Sequence, residues 1–236
     1  MAGPLWAVAV VPAAVAACAG AMEPAALEGA VRAAPAVRCR APEETAAYRV
    51  TFAATWSAAT HPEGFPSDAH FSDLIGATHS ADWTMWAQGG TAAEGIEQMA
   101  ERGKSRPLDR EVEAAIRAGR AGEWLAGDNI RRSPGSVSLD FKVTRTFPLV
   151  SLVSMLAPSP DWFVGVAGLD LCENHRWAPE RTVVLYTYDA GTDSGRTYTA
   201  PDVDTQPREP IRRIEWAPFA VGGEVRPVGT LTLTRR

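Results

Sequence analysis

The segment "YRVTFAATW" alternates strictly between large apolar side chains and polar or small ones, and this pattern strongly constrains the fold. In an extended strand, alternate side chains point to opposite faces of a sheet, so one face of this segment is apolar. That face carries Tyr48, Val50, Phe52, Ala54 and Trp56. The segment therefore predicts a half-buried strand that packs against a second layer.

Several later segments also have the composition of strands, and short strands between Gly- and Pro-containing turns are typical of all-β folds. "LVSLVSML" is almost wholly apolar, which predicts a central strand buried on both faces. The other candidate strands are "DLIGATHS", "WTMWA", "SVSLDFKVTRTF", "WFVGVAGLDLC", "TVVLYTY" and "TLTLT". Together they predict an all-β sandwich or barrel over residues 46–236, with "PDVDTQPREP" as a long surface loop.

Two short helices interrupt this β pattern and are predicted as insertions that decorate a sheet. In "GGTAAEGIEQMAERG", Thr91 and Glu94 have the spacing of a capping box, and Gly103 stands where a C-terminal cap belongs. The second helix is predicted within "LDREVEAAIRAGRAGEWL".

The first residues indicate export. Residues 1–21 are apolar and uncharged, and the run is too short and too interrupted by Pro12 to span a membrane, so it predicts a secretory signal. Two processing routes stay open: cleavage at the small-x-small site ending at Ala21, or lipidation of Cys18 in the lipobox-like "VAAC". Residues 22–45 are Ala-rich and are predicted to be a leader or linker.

The net charge and the remaining cysteines limit what the exported part can be. A net charge of −5 gives no basic footprint for nucleic acid. Cys39 and Cys172 are either one disulfide, which an exported protein allows, or two separate buried thiols. Export favours the disulfide.

Three aspartates form the strongest candidate site. Asp189 and Asp193 lie four residues apart in "TYDAGTDSGRTY", and Asp161 follows a buried strand in "PSPDWFVG". Two such acids alone usually cap backbone N–H groups in a turn. If the ends of the two strands meet at one edge of a sandwich, the three acids repel one another unless a cation lies between them. Ca²⁺, which takes six to eight oxygen ligands, is the ion that this set of side chains favours.

The motifs "APSPDWFVGVAGLDLC", Trp177 and "YTYDAGTDSGRTY" resemble the spondin domain, the N-terminal module of F-spondin and mindin. Segments such as "YRVTFAATWSAATHPEGFP", "FSDLIGATHSADWTMWAQGGTAAEGIEQMAERG" and "TQPREPIRRI" extend the resemblance from about Cys39 to about Ile214. It implies an antiparallel β-sandwich related to C2 domains and a disulfide between Cys39 and Cys172. It also implies that Ca²⁺ is bound by Asp161, Asp189 and Asp193.

The function that the resemblance implies is non-enzymatic binding or adhesion outside the cell. The expected partner is an extracellular protein or glycan, with no nucleic acid, and with membrane attachment only through a lipid at Cys18. The Ala-, Gly- and Arg-rich composition favours a single-domain bacterial protein, secreted or held in the cell envelope.

The alternative is a secreted hydrolase built on a calcium-stabilised sandwich. The sequence has no Gly-x-Ser-x-Gly and no His-Glu-x-x-His motif. The Asp-Ser-Gly of aspartic proteases occurs once, at residues 193–195, whereas those enzymes need two copies so that two carboxylates share a proton.

Overall fold

The computed structural model describes residues 39–236, together with Met1 and Gly3. Apart from Met1 and Gly3, the predicted signal sequence at 1–21 lies outside the described residues, as do the lipidation site at Cys18 and the Ala-rich stretch up to residue 38. Among the residues described, no helix is long and apolar enough to cross a membrane. The strands and helices are β1 (Thr45–Ala54), β2 (His70–Phe71), β3 (Ile75–His79), α1 (Glu94–Arg102), α2 (Leu108–Arg117), β4 (Ala121–Ala126), β5 (Gly135–Thr144), β6 (Leu149–Ala157), β7 (Trp162–Asp170), β8 (Cys172–Glu173), β9 (Arg176–Trp177), β10 (Glu180–Leu185), β11 (Tyr188–Asp189), β12 (Arg212–Arg213), β13 (Ala220–Val221), β14 (Glu224–Val225) and β15 (Gly229–Arg235).

Two antiparallel sheets pack face to face. One has four strands in the order β10-β15-β1-β5, and the other has seven, in the order β12-β11-β7-β6-β3-β4 with β2 paired to β6. Small hairpins of β8 with β9 and of β13 with β14 complete the described strands. The prediction of an all-β antiparallel sandwich with short helical insertions is confirmed.

Strand β1 has the two faces that its sequence predicts. Tyr48, Val50 and Phe52 are fully buried in the core between the sheets, while Arg49 is exposed. On the outer face the Nε of Arg49 donates to an Asp140 carboxylate oxygen of β5 at 2.7 Å. Alternation alone therefore placed residues 48–54 of this strand on the correct faces.

Strand β6 is buried on both faces, which explains its continuous apolar sequence. Val150 and Leu152 contribute to the core between the sheets, and Val153 and Met155 belong to a second core on the other side. The second core is closed by the apolar faces of α1 and α2, including Ile96, Met99, Leu108 and Val112. The helices are thus insertions that cover the outer face of the seven-stranded sheet, as predicted.

The prediction of a strand at "WTMWA" is wrong. Strand β3 pairs with β4 on one side and β6 on the other, so neither edge is free for this segment. Trp86 instead packs edge-on against Phe163 and Tyr188, and its indole N–H donates to the Val166 carbonyl at 3.2 Å. The tail of the second predicted helix is also wrong, because α2 ends at Arg117 and the following "AGEWLA" is β4. Pairing with β3 outweighs the helix propensity of these residues.

The ends of α1 are only partly as predicted. Gly103 is the C-terminal cap in the left-handed conformation, with φ of 61°. The capping box is absent, because Ala93 is the N-cap and no side chain hydrogen-bonds there. Thr91 instead forms an isolated β-bridge with Pro210.

Cys39 and Cys172 form a disulfide with a Cα–Cα distance of 5.7 Å, which confirms the predicted pairing. The bridge ties the segment before β1 to the start of β8. This segment packs on the domain: Ala41 is 1% exposed, and the indole N–H of Trp177 donates to the Glu43 carbonyl at 3.0 Å.

Candidate functional site

The chain crosses from one sheet to the other between β10 and β11. "TVVLYTY", predicted as one strand, leaves the four-stranded sheet after Leu185 and enters the seven-stranded sheet at Tyr188. There Asp189 pairs with Trp162, the first residue of β7. The crossing therefore brings Asp189 next to Asp161.

The turn between β6 and β7 holds Asp161 directly before the first residue of β7. The Ser159 hydroxyl donates to the Leu156 carbonyl at 2.6 Å and accepts from the Trp162 amide at 3.1 Å. The Asp161 carbonyl accepts from the Ala190 amide at 3.2 Å. Asp161 is fully buried, so its carboxylate depends entirely on the protein for hydrogen bonds.

Only one oxygen of the Asp161 carboxylate is satisfied. Its Oδ2 accepts from the backbone amides of Thr192 at 2.8 Å and Asp193 at 3.1 Å. Its Oδ1 is buried and has no hydrogen-bond partner in the described part of the chain. Burial, followed by the charge of Asp189, raises the pKa of Asp161 from 3.8 to about 7, against the effect of the two amides. Without a compensating cation, this site favours a protonated Asp161 below that pH.

Asp189 and Asp193 are also buried, each 4% exposed. Oδ1 of Asp189 accepts from the Gly191 amide at 2.8 Å, and its Oδ2 lies 3.5 Å from an Arg212 guanidinium nitrogen. Burial raises the pKa of Asp189, although the Arg212 charge partly opposes this rise. Asp193 accepts from the Gly195 and Val203 amides, both at 2.6 Å. The structure thus brings the three predicted aspartates together in one buried region.

Two glycines allow this loop to pack so closely. Gly191 has a φ of +73°, and a Cβ on it would lie 2.2 Å from the Glu209 carbonyl oxygen. A Cβ on Gly195 would lie 2.6 Å from Pro160 and 2.9 Å from the Asp193 carboxylate. Any side chain at either position would displace the backbone that presents the aspartates.

Gly191→Ala is expected to destabilise the protein by roughly 3 kcal/mol, because it adds a backbone collision to left-handed strain. The matched control is Gly64→Ala, where φ is +59° but nothing lies within 4 Å of the added Cβ. That variant should lose only about 1–2 kcal/mol, the cost of the conformation alone. Urea unfolding of both variants measures the difference, and equal losses would show that close packing at Gly191 is unimportant.

The described residues contain no group of three or more His, Cys, Asp or Glu side chains arranged so that it could hold a metal ion. The carboxylate oxygens of Asp189 and Asp193 accept hydrogen bonds from backbone amides of their own loop. The feature that does suit a cation is the unpartnered Oδ1 of Asp161, buried beside two further carboxylates. Oxygen donors of this kind are those that Ca²⁺ prefers.

A fourth acid near the site was not predicted from the sequence. Glu101 in α1 lines a small cavity of about 110 Å³ together with Asp193 and Asp202. Burial raises the pKa of Glu101, the charges of Asp202 and Asp193 add to the rise, and the Thr192 hydroxyl opposes it. Its position on the polar part of an amphipathic helix carries no local signal of such a role. Arg212, the cationic neighbour of Asp189, was likewise not singled out.

Four further buried or partly buried side chains have structural roles. Trp162 and Trp177 are 0% and 3% exposed, so they do not form a binding face at this edge. His79 is buried between the Ser80 carbonyl and the Ser151 hydroxyl, each at 2.8 Å. Glu111, whose pKa is raised by burial, accepts from the Gly95 amide at 2.8 Å at the start of α1.

The fold and the site together define a two-sheet β-sandwich module with a buried aspartate cluster at one edge. The family model described as Spondin_N matches residues 46–219, and the chain belongs to this family. It is 39% identical to Spondin-2 of Homo sapiens over 173 residues, which cover 72% of this chain and 52% of that protein. It is 37% identical to Spondin-1 of Mus musculus over 209 residues, covering 81% of this chain and 25% of that protein. The chain therefore spans about half the length of the first relative and a quarter of the second.

Proposed function

We propose that this chain is an exported, non-enzymatic binding module whose aspartate cluster holds a structural Ca²⁺ ion. The observation that carries the metal proposal is the carboxylate of Asp161, which is fully buried and has one oxygen without a hydrogen-bond partner among residues 39–236. An ionised carboxylate in this state is costly unless a cation compensates it. Membership of the Spondin_N family supports the same assignment.

The residues proposed to hold the ion are Asp161, Asp189 and Asp193. Asp161 offers its free Oδ1, while the backbone amides of Thr192 and Asp193 hold its other oxygen in place. Bound Ca²⁺ would supply two positive charges where Arg212 supplies one at the edge of the cluster. The ion would tie the β6–β7 turn to the loop after β11.

Family membership supports the proposed binding role, and the aspartate site would act as a rigid scaffold for it. Relatives named Spondin-1 and Spondin-2 share the module over most of this chain. We assign an extracellular or cell-envelope location, with export through residues 1–21 and either cleavage there or lipidation at Cys18. The partner is an extracellular protein or glycan. A hydrolase would need two carboxylates of raised pKa in a cleft away from the three aspartates. Within residues 39–236, Glu111 instead accepts a hydrogen bond at the start of α1, and Glu101 lies beside Asp193, so these two acids do not form such a pair.

Calcium is expected to raise the melting temperature of the chelator-treated protein. At a free concentration 100 times the dissociation constant, binding adds about 2.7 kcal/mol to the free energy of unfolding. Asp189→Asn and Asp193→Asn each remove a charge, and both should lose most of this gain. Asp193→Asn also gives up one of two amide hydrogen bonds, so each variant is compared with itself in the presence and absence of Ca²⁺. Differential scanning calorimetry with Ca²⁺, and with Mg²⁺ for comparison, measures it.

The control is Asp128→Ala, which removes one exposed acid outside the cluster and should leave the calcium response unchanged. An unaltered melting temperature of the intact protein at millimolar Ca²⁺ would refute the metal proposal. A response that Asp128→Ala abolishes as fully as Asp189→Asn would show only general charge screening.

A further inference from the structure

A cleft of about 830 Å³ opens between β2, the end of α1 and the loop that joins β4 to β5. Its volume lies within the usual range for small-ligand sites, roughly 300–1,000 Å³. Its lining is mostly polar, which distinguishes it from a groove for an apolar ligand.

Three arginines line this cleft, although the chain as a whole has a net charge of −5. Arg131 and Arg132 are exposed and form no salt bridge with any acid that the structure describes. The guanidinium group of Arg102 forms a salt bridge with Asp202 at 3.1 Å. Guanidinium groups in a concave site suit carboxylate and sulfate groups, which they bind through paired N–H donors.

The same cleft also presents groups that suit hydroxyls. Asp68 and Asp73 line it, and the amide nitrogen of Asn129 donates to an Asp73 carboxylate oxygen at 3.1 Å. These carboxylates accept hydrogen bonds from sugar hydroxyls, which inorganic sulfate and polyphosphate do not offer at neutral pH. The lining therefore matches a ligand that carries both an acid group and several hydroxyls.

We propose that the cleft binds an acidic saccharide, with Arg131 and Arg132 on its carboxylate or sulfate group and Asp68, Asp73 and Asn129 on its hydroxyls. The proposal specifies a partner class for the binding role assigned above. It does not depend on calcium, because none of the three aspartates lines the cleft. Arg102 lies between the two sites, since it lines this cleft and also the small cavity beside Asp193.

The test is isothermal titration of the full chain with an oligogalacturonate trimer and with a sulfated heparin-derived oligosaccharide. A neutral oligosaccharide of equal length and inorganic sulfate are the comparison ligands. We expect at least one acidic oligosaccharide to bind and both comparison ligands to bind at least tenfold more weakly. Binding of only the uronate or only the sulfated ligand identifies which acid group the arginines select.

The variant pair is Arg131→Ala/Arg132→Ala against Arg110→Ala/Arg120→Ala. The second pair removes the same charge from exposed arginines that do not line the cleft. The first should weaken binding at least tenfold and the second less than twofold. The proposal would be overturned if both variant pairs lost affinity equally, or if neither acidic oligosaccharide bound. It would also be overturned if the neutral oligosaccharide or inorganic sulfate bound as tightly as the acidic oligosaccharides.

Each titration is run with Ca²⁺ and with chelator, below the melting temperature in both. Saccharide binding in chelator, together with no calcium effect on stability, would support the cleft and refute the metal site. Calcium stabilisation without saccharide binding would support the metal site and refute the proposal for the cleft.

Discussion

In the presence of chelator, the free energy of unfolding of the Asp161→Asn variant should rise relative to that of the unaltered chain as the pH increases from about 4 to about 7. The pKa of Asp161 is 3.8 in the unfolded reference and about 7 in the folded protein. Between these values the folded state holds a proton that the unfolded state has released, so the stability of the unaltered protein falls as pH rises. The full difference corresponds to roughly 4 kcal/mol and levels off above about pH 7.

The comparison with Asn is needed because other groups titrate in the same range. Burial lowers the pKa of His61 and of His79, so these residues destabilise the folded protein as the pH falls below their ordinary value of 6.5. Their effect is present in both proteins and cancels in the difference. Guanidinium unfolding at several pH values measures that difference, and a constant value from pH 4 to pH 8 would contradict the buried, uncompensated state of Asp161.

At pH 7 and above, saturating Ca²⁺ should make the unaltered chain more stable than the Asp161→Asn variant, which is the reverse of the order in chelator. The ion stabilises the ionised carboxylate of the unaltered chain, whereas Asn offers it no charge. The unaltered protein should therefore gain stability on adding Ca²⁺ and the Asp161→Asn variant should gain little. This reversal separates a metal site from a carboxyl that is merely buried, because the latter would favour Asn at every calcium concentration.

Loss of the Cys39–Cys172 disulfide should have a similarly large effect on stability. The bridge joins residues 133 positions apart, and a loop of that length restricts the unfolded chain by about 4–5 kcal/mol in the chain-entropy model. We expect Cys39→Ala/Cys172→Ala to lose roughly 4 kcal/mol in the free energy of unfolding. Reduction of the unaltered protein by dithiothreitol should give a matching loss.

The segment in which hydrogen exchange accelerates also tests the role of this disulfide. Hydrogen exchange should accelerate first in residues 39–44, which the disulfide anchors. The segment keeps weaker contacts, including the Trp177 indole on the Glu43 carbonyl and an Arg235–Glu43 pair at 3.4 Å. The single variant Cys172→Ala should resemble the double variant to within about 1 kcal/mol. A double variant as stable as the unaltered protein would show that these contacts, and not the bridge, hold the segment.

Local patterns predicted the features that depend on near neighbours in the chain. The alternation of β1 and the unbroken apolar run of β6 predicted their burial correctly, because side-chain direction in a strand repeats every two residues. Gly103 was identified as a helix end because a left-handed cap favours glycine. The family motif identified Asp161, Asp189 and Asp193, and the structure brings these three together.

The errors arose where pairing between distant segments decides the outcome. "WTMWA" has strand composition, but β4 and β6 already occupy both edges of β3. "TVVLYTY" is continuous in sequence, yet its two halves pair in different sheets. Glu101 approaches the aspartate cluster only because α1 packs on the outer face of β6, far from it in sequence.

The sequence by itself determined the fold class and the family, because strand periodicity and a long ordered motif are properties of the chain alone; from the same motif it predicts a site at Asp161, Asp189 and Asp193. Only the tertiary structure decided that one oxygen of Asp161 has no partner among the residues described, that Arg212 lies beside Asp189, and that Arg102, Arg131 and Arg132 share a cleft. Burial and charge proximity are set by how the sheets and loops pack. Those two quantities give the aspartates and arginines the chemistry proposed for them.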